Sequence, residues 1–250
     1  MGLLPRIVRT AVAVCAAAPL FAAAPASAVV GGAPADAAKY PWLGAVGSPL
    51  FFVRPAGQFC GGALVAPDRV LTAAHCVALF RAAPGLLTVT FGRSDLGAGG
   101  GEQIAVKKVR VDSRYREGDF RGETVEHHDL AELTLARRTT RPVVATGGAG
   151  GARSGRVVGW GGTAETDFFN TRLRAADVPL PGDAACRRAY GASYDAADMA
   201  CAGSAAADTC QFDSGGPLLA GGRLVALTSW AYGCARPGFP GVYARVAPLR

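Results

Sequence analysis

The sequence has no block of basic residues and no run of about 20 consecutive apolar residues, the length needed to cross a bilayer. Its longest apolar stretch, residues 10–24, is shorter than that and is interrupted by Pro19. The formal charge of +7 is spread along the chain, as on a solvated surface. These absences argue against a membrane protein and against a face that binds nucleic acid or a membrane.

Long helical periodicities are also scarce, whereas glycine and proline are abundant, with 34 and 16 residues among 250. This composition is typical of short strands joined by turns. Residues 63–65 and 70–72 alternate as two strands around a turn at residues 67–69. Residues 86–91 and 104–111 alternate in the same way. Half of the residues are apolar, so the chain can form one or two packed all-β domains.

Residues 1–28 have the composition of a secretory signal. Arg6 and Arg9 form a positive start, residues 10–24 form an apolar core, and Ala26-Ser27-Ala28 supplies the small residues that a signal peptidase requires. The sequence therefore predicts a secreted protein.

The cysteine count agrees with export, because an even number of cysteines in an exported chain favours disulfides over metal ligation. Spacing alone leaves 15 pairings open. With Cys15 in the signal, six cysteines remain: Cys60, Cys76, Cys186, Cys201, Cys210 and Cys234.

Two short motifs carry the chemistry. In the stretch 208–217, Ser214 stands between Asp213 and two glycines, which let the backbone approach whatever the hydroxyl attacks. In Leu71-Thr72-Ala73-Ala74-His75-Cys76, a histidine that is more often structural when alone is paired with that serine turn. Together the two motifs resemble those of the trypsin-like serine proteases of the chymotrypsin fold.

The resemblance implies two six-stranded antiparallel Greek-key β-barrels with the active site in the cleft between them. The peptidase domain would span residues 29–250, with residues 29–140 mainly in the N-terminal barrel and 141–250 in the C-terminal barrel. It implies no cofactor. The implied disulfides are Cys60–Cys76, Cys186–Cys201 and Cys210–Cys234.

The resemblance assigns an acyl-transfer mechanism to three side chains. Ser214 would be the nucleophile, His75 the general base, and Asp129 the acid that orients His75. The backbone N–H groups of Phe212 and Ser214 would form the oxyanion hole. Relatives usually have glycine in place of Phe212, because the backbone crowds the substrate and its conformation is awkward for a Cβ.

Five residues are implied in substrate binding. Asp208, six residues before Ser214, matches the acid at the base of a trypsin-type pocket, where a carboxylate favours arginine or lysine. Ser229, Trp230 and Ala231 match the segment that pairs with the substrate backbone. Gly241 matches the opposite wall. Ala231 replaces a usual glycine and narrows the entrance by a methyl group, which leaves a different primary specificity as an alternative.

The resemblance also implies that the chain is activated at its N-terminus. Val29-Val30-Gly31-Gly32 follows Ala28 directly, and the freed α-amine of Val29 would pair with the buried Asp213. The hypothesis is that signal peptidase itself generates the active N-terminus and that no zymogen exists.

Calcium is not expected at the glycine-rich loop 97–101. Relatives that bind calcium there carry several carboxylates, and a hard cation needs several converging oxygens. Here Arg93 stands where the first acidic ligand would be, and only Glu102 remains nearby. No metal site is therefore predicted.

Protein or peptide substrates are the implied partners, protein protease inhibitors are further candidates, and a monomer is expected. The rival hypothesis is a protease-fold protein without useful catalysis that works as a binding module. Phe212 favours it, as does Glu132, where relatives carry an aliphatic residue, and so does the end of the sequence at Arg250, where relatives continue into a helix. The polar segment 112–126 either overhangs the cleft and tunes specificity or is a solvated insertion.

Overall fold

The computed structural model describes Gly2 and residues 29–249. The predicted secretory signal therefore lies outside the described residues, apart from Gly2. None of the helices in the described ranges has the length and apolar character needed to cross a membrane. The strands are β1 (Ala33–Pro34), β2 (Leu43–Gly47), β3 (Gln58–Ala66), β4 (Arg69–Thr72), β5 (Thr88–Phe91), β6 (Glu102–Val111), β7 (Arg116–Phe120), β8 (Glu123–His127), β9 (Ala131–Leu135), β10 (Ser154–Gly159), β11 (Arg174–Pro179), β12 (Met199–Ala202), β13 (Pro217–Ala220), β14 (Arg223–Trp230) and β15 (Gly241–Arg245), and the two α-helices are α1 (Ala74–Val77) and α2 (Asp183–Tyr190).

The first half of the chain forms a closed six-stranded barrel in the order β2-β3-β4-β9-β6-β5. Every neighbouring pair is antiparallel. The side chains on one face of each strand form the core of this barrel. Along β6, for example, Ile104, Val106 and Val109 are buried, and the residues between them are exposed. The strands predicted at residues 63–65, 70–72, 86–91 and 104–111 are confirmed within this barrel, with shifted ends.

The second half forms a seven-stranded sheet in the order β1-β11-β10-β13-β14-β15-β12. The two-residue strand β1 adds to the six strands that were expected. The sheet curls back on itself, because the N–H of Gly203, just after β12, donates to the carbonyl of Pro179 at the end of β11 (3.0 Å). The all-β prediction is confirmed, and the arrangement of one closed barrel and a curled sheet is consistent with the predicted two-barrel fold.

The polar segment 112–126 is not an irregular loop. It contains the antiparallel hairpin β7–β8, which turns at Arg121 and Gly122, both with positive φ. The second strand places Glu123, Thr124 and Glu126 on the wall of the cleft that contains His75. The structure therefore supports a segment that overhangs the cleft.

Three disulfides brace the fold, and they are the pairs implied by the resemblance. The Cys60–Cys76 bond ties β3 to the helix α1, and the Cys210–Cys234 bond ties the serine turn to the loop after β14. The Cys186–Cys201 bond joins α2 to β12. These links fix the backbone on both sides of the cleft.

Two acidic residues singled out in the sequence have cationic neighbours. Glu132 on β9 lies 3.8 Å from Nη1 of Arg69 across the strand pair, so it is not the unpaired buried carboxylate that would destabilise the barrel. The carboxylate of Glu102 accepts hydrogen bonds from Arg137, Thr139 and Arg141. The absence of a calcium site stays a prediction.

Candidate active site

His75 and Asp129 reach the cleft from neighbouring strands of the barrel. Strand β4 ends at Thr72, which pairs with Ala131 at the start of β9. Because the two strands are antiparallel, the residues after Thr72 and those before Ala131 leave the barrel at the same edge. The helix α1 then carries His75 at that edge, next to Asp129.

Asp129 is buried and accepts three hydrogen bonds. Its Oδ1 accepts from the backbone N–H of His75 (2.8 Å), and its Oδ2 lies 2.8 Å from Nδ1 of His75. The hydroxyl of Ser229 on β14 donates to the same Oδ2 (2.6 Å). The carboxylate therefore fixes the imidazole ring, and Nε2 is the nitrogen left for the cleft side, 3.5 Å from Sγ of Cys76.

The pKa values of this pair move in opposite directions. Burial alone would lower the pKa of His75, but the charge and hydrogen bond of Asp129 raise it. Burial alone would raise the pKa of Asp129, but the His75 charge and the hydrogen bonds of His75 and Ser229 lower it. The pair thus favours an ionised carboxylate beside an imidazole of increased basicity.

The turn that carries Ser214 belongs to the second half and fits closely against the first. The N–H of Gly61 on β3 donates to the carbonyl of Ser214 (2.7 Å). Gly215 has φ +73°, and a Cβ there would lie 2.3 Å from Oγ1 of Thr72. Only glycine fits such an approach, which explains part of the motif.

Two backbone N–H groups in this turn have no partner. In the hydrogen bonds of the described residues, the N–H groups of Phe212 and Ser214 do not donate, whereas those of Asp213, Gly215 and Gly216 do. Phe212 has φ +72°, a conformation that glycine adopts without strain and that is uncommon for a phenylalanine. The Phe212 peptide therefore keeps the positive-φ conformation that glycine permits, and two donors remain free to bind a developing oxyanion.

A buried arginine holds Phe212 in place. Arg54, only 4% exposed, donates to the carbonyls of Trp160 (2.9 Å), Phe168 (2.7 Å) and Asn170 (2.6 Å). Its guanidinium carbon lies 4.2 Å from the centre of the Phe212 ring, a cation–π contact.

Gln58 links that arginine to the Phe212 peptide. Its Oε1 accepts from Nε of Arg54 (2.9 Å), while its Nε2 donates to the carbonyl of Phe212 (2.9 Å). Sequence reasoning missed Arg54 and Gln58, because neither lies in a motif. The hydrogen bond from Ser229 to Asp129 was missed as well, since Ser229 was assigned only to the substrate-binding wall.

His75 and Ser214 line one cleft of about 480 Å³, together with Trp230, Ala231 and Cys234. In the described part of the chain, no hydrogen bond joins the side chains of His75 and Ser214. Such bonds commonly tighten only when substrate is bound. The cleft thus brings together the hydroxyl of Ser214 and a basic imidazole, and the free N–H groups of Ser214 and of Phe212, two residues earlier, belong to the same turn as the hydroxyl.

Asp208 is fully buried next to this cleft, because its chain neighbours Thr209 and Cys210 are among the residues that line the cleft. Its Oδ1 accepts from the N–H of Thr209 (2.9 Å) and its Oδ2 from the N–H of Ala235 (3.0 Å). A Cβ on Gly241 would lie 2.8 Å from Oδ1, so the glycine leaves room beside the carboxylate. Burial raises the pKa of Asp208 to about 7. A cation placed here would favour the ionised form.

Val29 and Asp213 lie in the same half of the protein but do not touch in the described contacts. Val29 is buried among residues of the second sheet, and the carbonyl of the adjacent Val30 accepts from the N–H of Asp208 (3.1 Å). Asp213 accepts instead from the N–H groups of Gly161 (2.8 Å) and Cys210 (3.1 Å). Burial raises the pKa of Asp213 to about 7, and no cation is bonded to this carboxyl in the contacts of the described residues.

The described residues offer one grouping of metal-ligand types, formed by Cys60, His75 and Cys76. Both sulfurs belong to the Cys60–Cys76 disulfide, which removes the thiolates that a metal would require.

Comparison with known proteins identifies the family. The family model for trypsin matches residues 29–250. A trypsin of Saccharopolyspora erythraea is 37% identical over 226 residues, covering 87% of this chain and 93% of that protein. A trypsin-like protease of Streptomyces glaucescens is 37% identical over 248 residues, covering 95% and 85%. Trypsin 5G1 of Aedes aegypti is 39% identical over 204 residues, covering 77% and 73%. This chain belongs to the trypsin family of serine endopeptidases, which act on proteins or peptides.

Proposed function

We propose that this protein is a secreted endopeptidase that cleaves peptide bonds after arginine and lysine, with Ser214, His75 and Asp129 as its catalytic residues. One observation carries the proposal. The buried Asp129 is bonded to His75, and His75 and Ser214 line a single cleft whose wall includes Thr209 and Cys210, the chain neighbours of the buried Asp208.

In the proposed mechanism, Oγ of Ser214 attacks the carbonyl carbon of the scissile bond while Nε2 of His75 takes the hydroxyl proton. Asp129 stabilises the imidazolium that forms. The free N–H groups of Phe212 and Ser214 hold the oxyanion. His75 returns the proton to the leaving amine, and a water activated by His75 then hydrolyses the acyl-enzyme.

Primary specificity is assigned to Asp208. A cationic side chain entering between Trp230, Ala231 and the Cys210–Cys234 disulfide would meet its carboxylate through charge-assisted hydrogen bonds. Gly241 leaves space beside that carboxylate. The methyl group of Ala231 narrows the entrance without adding charge, so arginine and lysine still enter.

Secretion of the mature chain from Val29 is part of the proposal. The signal composition of residues 1–28 and three disulfides support export. The protein would act as a monomer. Its half 29–140 would supply His75 and Asp129, and its half 141–250 would supply Ser214.

Hydrolysis of short chromogenic peptides by secreted protein beginning at Val29 tests this function. Peptides ending in arginine or lysine should be cleaved, whereas matched peptides ending in phenylalanine or alanine should be cleaved far more slowly. Failure of a folded protein to hydrolyse any of them, with no labelling by a serine-reactive phosphonate, would contradict the proposal.

The binding-module alternative loses two of its supports. Phe212 keeps the backbone conformation available to glycine, and Glu132 has Arg69 nearby. A protein that only binds a partner has no need of a buried Asp129 bonded to His75 or of two free N–H donors.

Arg54 is expected to act as a positioning residue for the oxyanion hole. Replacing it by methionine should lower kcat about 100-fold with little change in KM, because Phe212 loses the support that orients its N–H. A peptide aldehyde, which needs the oxyanion hole, should bind more weakly in the same proportion, while benzamidine, which needs only the primary pocket, should bind as before. Arg172→Met, at a 77% exposed side chain, is the matched control.

The milder Gln58→Leu variant is also expected to weaken binding of the peptide aldehyde and to leave benzamidine binding unchanged, since Gln58 donates to the Phe212 carbonyl. Equal weakening of aldehyde and benzamidine binding would show a general structural effect and would contradict this role.

The stability of the protein is expected to depend on whether the amine of Val29 is free. With a short extension before Val29, no cation is bonded to Asp213, and although the charge of Arg54 lowers its pKa, burial keeps the folded-state pKa at about 7, above the unfolded value. The extended form therefore loses stability as pH rises from about 4 to about 7, by at most about 4 kcal/mol. A free ammonium at Val29 should pair with Asp213 and prevent this loss.

Urea unfolding of both forms between pH 4 and pH 8, in a Ser214→Ala background to prevent self-cleavage, measures the difference. The difference in free energy of unfolding between the two forms should grow with pH. It should vanish in Asp213→Asn, whose side chain cannot titrate. Parallel pH curves for the two forms would argue against the Val29–Asp213 pair.

A further inference from the structure

The tip of the hairpin β7–β8 packs against the opposite wall of the candidate active-site cleft. The ring of Phe120, at the end of β7, lies 5.6 Å from the ring of Tyr232 and 6.2 Å from that of Phe239, measured between ring centres. Tyr232 and Phe239 belong to the loop between β14 and β15. The hairpin therefore connects the first half of the protein to the second.

Arg121 covers this contact at the turn of the hairpin. Its guanidinium carbon lies 5.2 Å from the centre of the Phe120 ring, 5.6 Å from that of Tyr232 and 5.5 Å from that of Phe239. At such distances a cation is attracted to an aromatic face. Arg236 lies 4.0 Å from the centre of the Tyr232 ring. We define the aromatic bridge as Phe120, Arg121, Tyr232 and Phe239.

Buried residues hold the hairpin in this position. Val125 on β8 is buried in one apolar cluster with Tyr190 and Trp230. The ring of Phe120 packs edge-on against the ring of Tyr190, with 5.3 Å between the centres. Separating the hairpin from the other wall would expose this apolar surface to water, which costs free energy. The closed arrangement is therefore the stable one.

The aromatic bridge lies at the edge of the cleft. Residues close to it in the chain line both walls, with Glu123 and Thr124 on the hairpin and Ala231 and Gly233 on the opposite side. The four residues of the bridge, all within the described part of the chain, are not among the lining residues. The two walls of the cleft thus meet at the bridge.

The path of the substrate leads from the catalytic residues toward the aromatic bridge. The hydroxyl of Ser229 bonds to Asp129, and Tyr232 stands three residues farther along the same wall. The acyl half of the substrate lies along residues 229–231, because these residues line the cleft that holds Ser214. An extended chain advances about 3.3 Å per residue on both sides of such a pairing, so this wall accommodates about three substrate residues. A fourth would meet the bridge.

We infer that the aromatic bridge limits the extended substrate to about three residues before the cleaved bond, so that the protein selects short peptides and the amino-terminal ends of longer chains. This inference rests on the proposed function. A longer acyl half must open the contact between Phe120 and Tyr232 or turn away from the wall, and either course sacrifices apolar contact. The loss should lower kcat/KM about tenfold for an arginine far from the amino terminus.

A series of acetylated peptides of increasing length tests this limit. Each ends in arginine before a chromophore, and alanines extend the part before the cleaved bond from one residue to six. We expect kcat/KM to rise up to three residues and then to fall about tenfold by six. In Phe120→Ser/Arg121→Ser the fall should disappear. The kcat/KM for the shortest peptide should stay unchanged, because that peptide does not reach the bridge.

Tyr232→Ser opens the bridge from the opposite wall and should abolish the fall as well. The matched control is Arg116→Ser, at an exposed position at the start of β7 outside the bridge, and it should keep the fall.

A second measurement uses one acetylated peptide of about 20 residues that contains two arginines in matched surroundings, the first at the third position and the other in the middle. Mass spectrometry should show the parent protein cleaving after the first arginine about ten times faster. The double variant and Tyr232→Ser should cleave after both at similar rates.

The outcomes separate the inference from the function. A kcat/KM that stays constant or keeps rising from three residues to six in the parent protein would overturn the inference and leave the proposed function standing. A fall that persists in both bridge variants would also overturn it, because another part of the protein would then limit the length. Failure to cleave any of the peptides would overturn both.

Discussion

Replacing Ser214 by alanine is expected to reduce kcat for arginine peptides by a factor on the order of 10⁶, while KM changes little. The hydroxyl is the group that would form the acyl-enzyme, and neither His75 nor the oxyanion hole can replace it. In the described residues, no hydrogen bond joins that hydroxyl to His75 or Asp129, so folding should be unaffected. Measurement of kcat and KM with one chromogenic arginine peptide checks this.

The matched control is Ser154→Ala, at an exposed serine at the start of β10. It should keep full activity and full labelling by a serine-reactive phosphonate, whereas Ser214→Ala should lose both. Residual activity within tenfold of the parent protein would show that another group is the nucleophile.

Replacing Asp208 by asparagine is expected to lower kcat/KM for arginine and lysine peptides about 1,000-fold, because the cationic side chain loses a fully buried counter-charge. A phenylalanine peptide should be affected far less, so the preference between the two classes collapses. The ratio of kcat/KM for arginine and phenylalanine peptides is the measurement. Asp177→Asn, at a 67% exposed side chain, should leave the ratio unchanged.

The same ratio is expected to rise with pH in the parent protein. Burial raises the pKa of Asp208 to about 7, so the carboxyl is neutral below that pH and charged above it. Because the cleavage of both peptides depends on His75, the titration of His75 cancels in the ratio. The pH dependence of the ratio therefore reports the titration of Asp208. A ratio that does not change between pH 6 and pH 8, or that changes equally in Asp208→Asn, would contradict the assignment.

The sequence was sufficient to predict the fold and to name His75, Asp129 and Ser214, because two short motifs carry the resemblance from which all three are assigned. His75 follows Thr72 by three residues, and Asp129 precedes Ala131 by two, so the pairing of β4 with β9 brings them together. Their roles follow from the resemblance, and the structure adds the geometry.

Long-range polar contacts could not be predicted in this way. Arg54 bonds to carbonyls 106, 114 and 116 residues away, and nothing in its own neighbourhood indicates those partners. The hairpin β7–β8 was missed as a pair of strands for another reason. Its first strand is exposed at four of five positions, so it lacks the alternation that reveals a half-buried strand.

The three disulfides also determine in which compartment of a cell this chain can fold and act as a protease. Each closes a loop between cysteines 15 to 24 residues apart, and each contributes about 3 kcal/mol by restricting the unfolded chain. Together they amount to roughly 9 kcal/mol, which is comparable to the whole stability of an ordinary domain. A copy retained in a reducing cytosol should therefore stay unfolded and harmless, so the compartment itself protects the producing cell from its own protease.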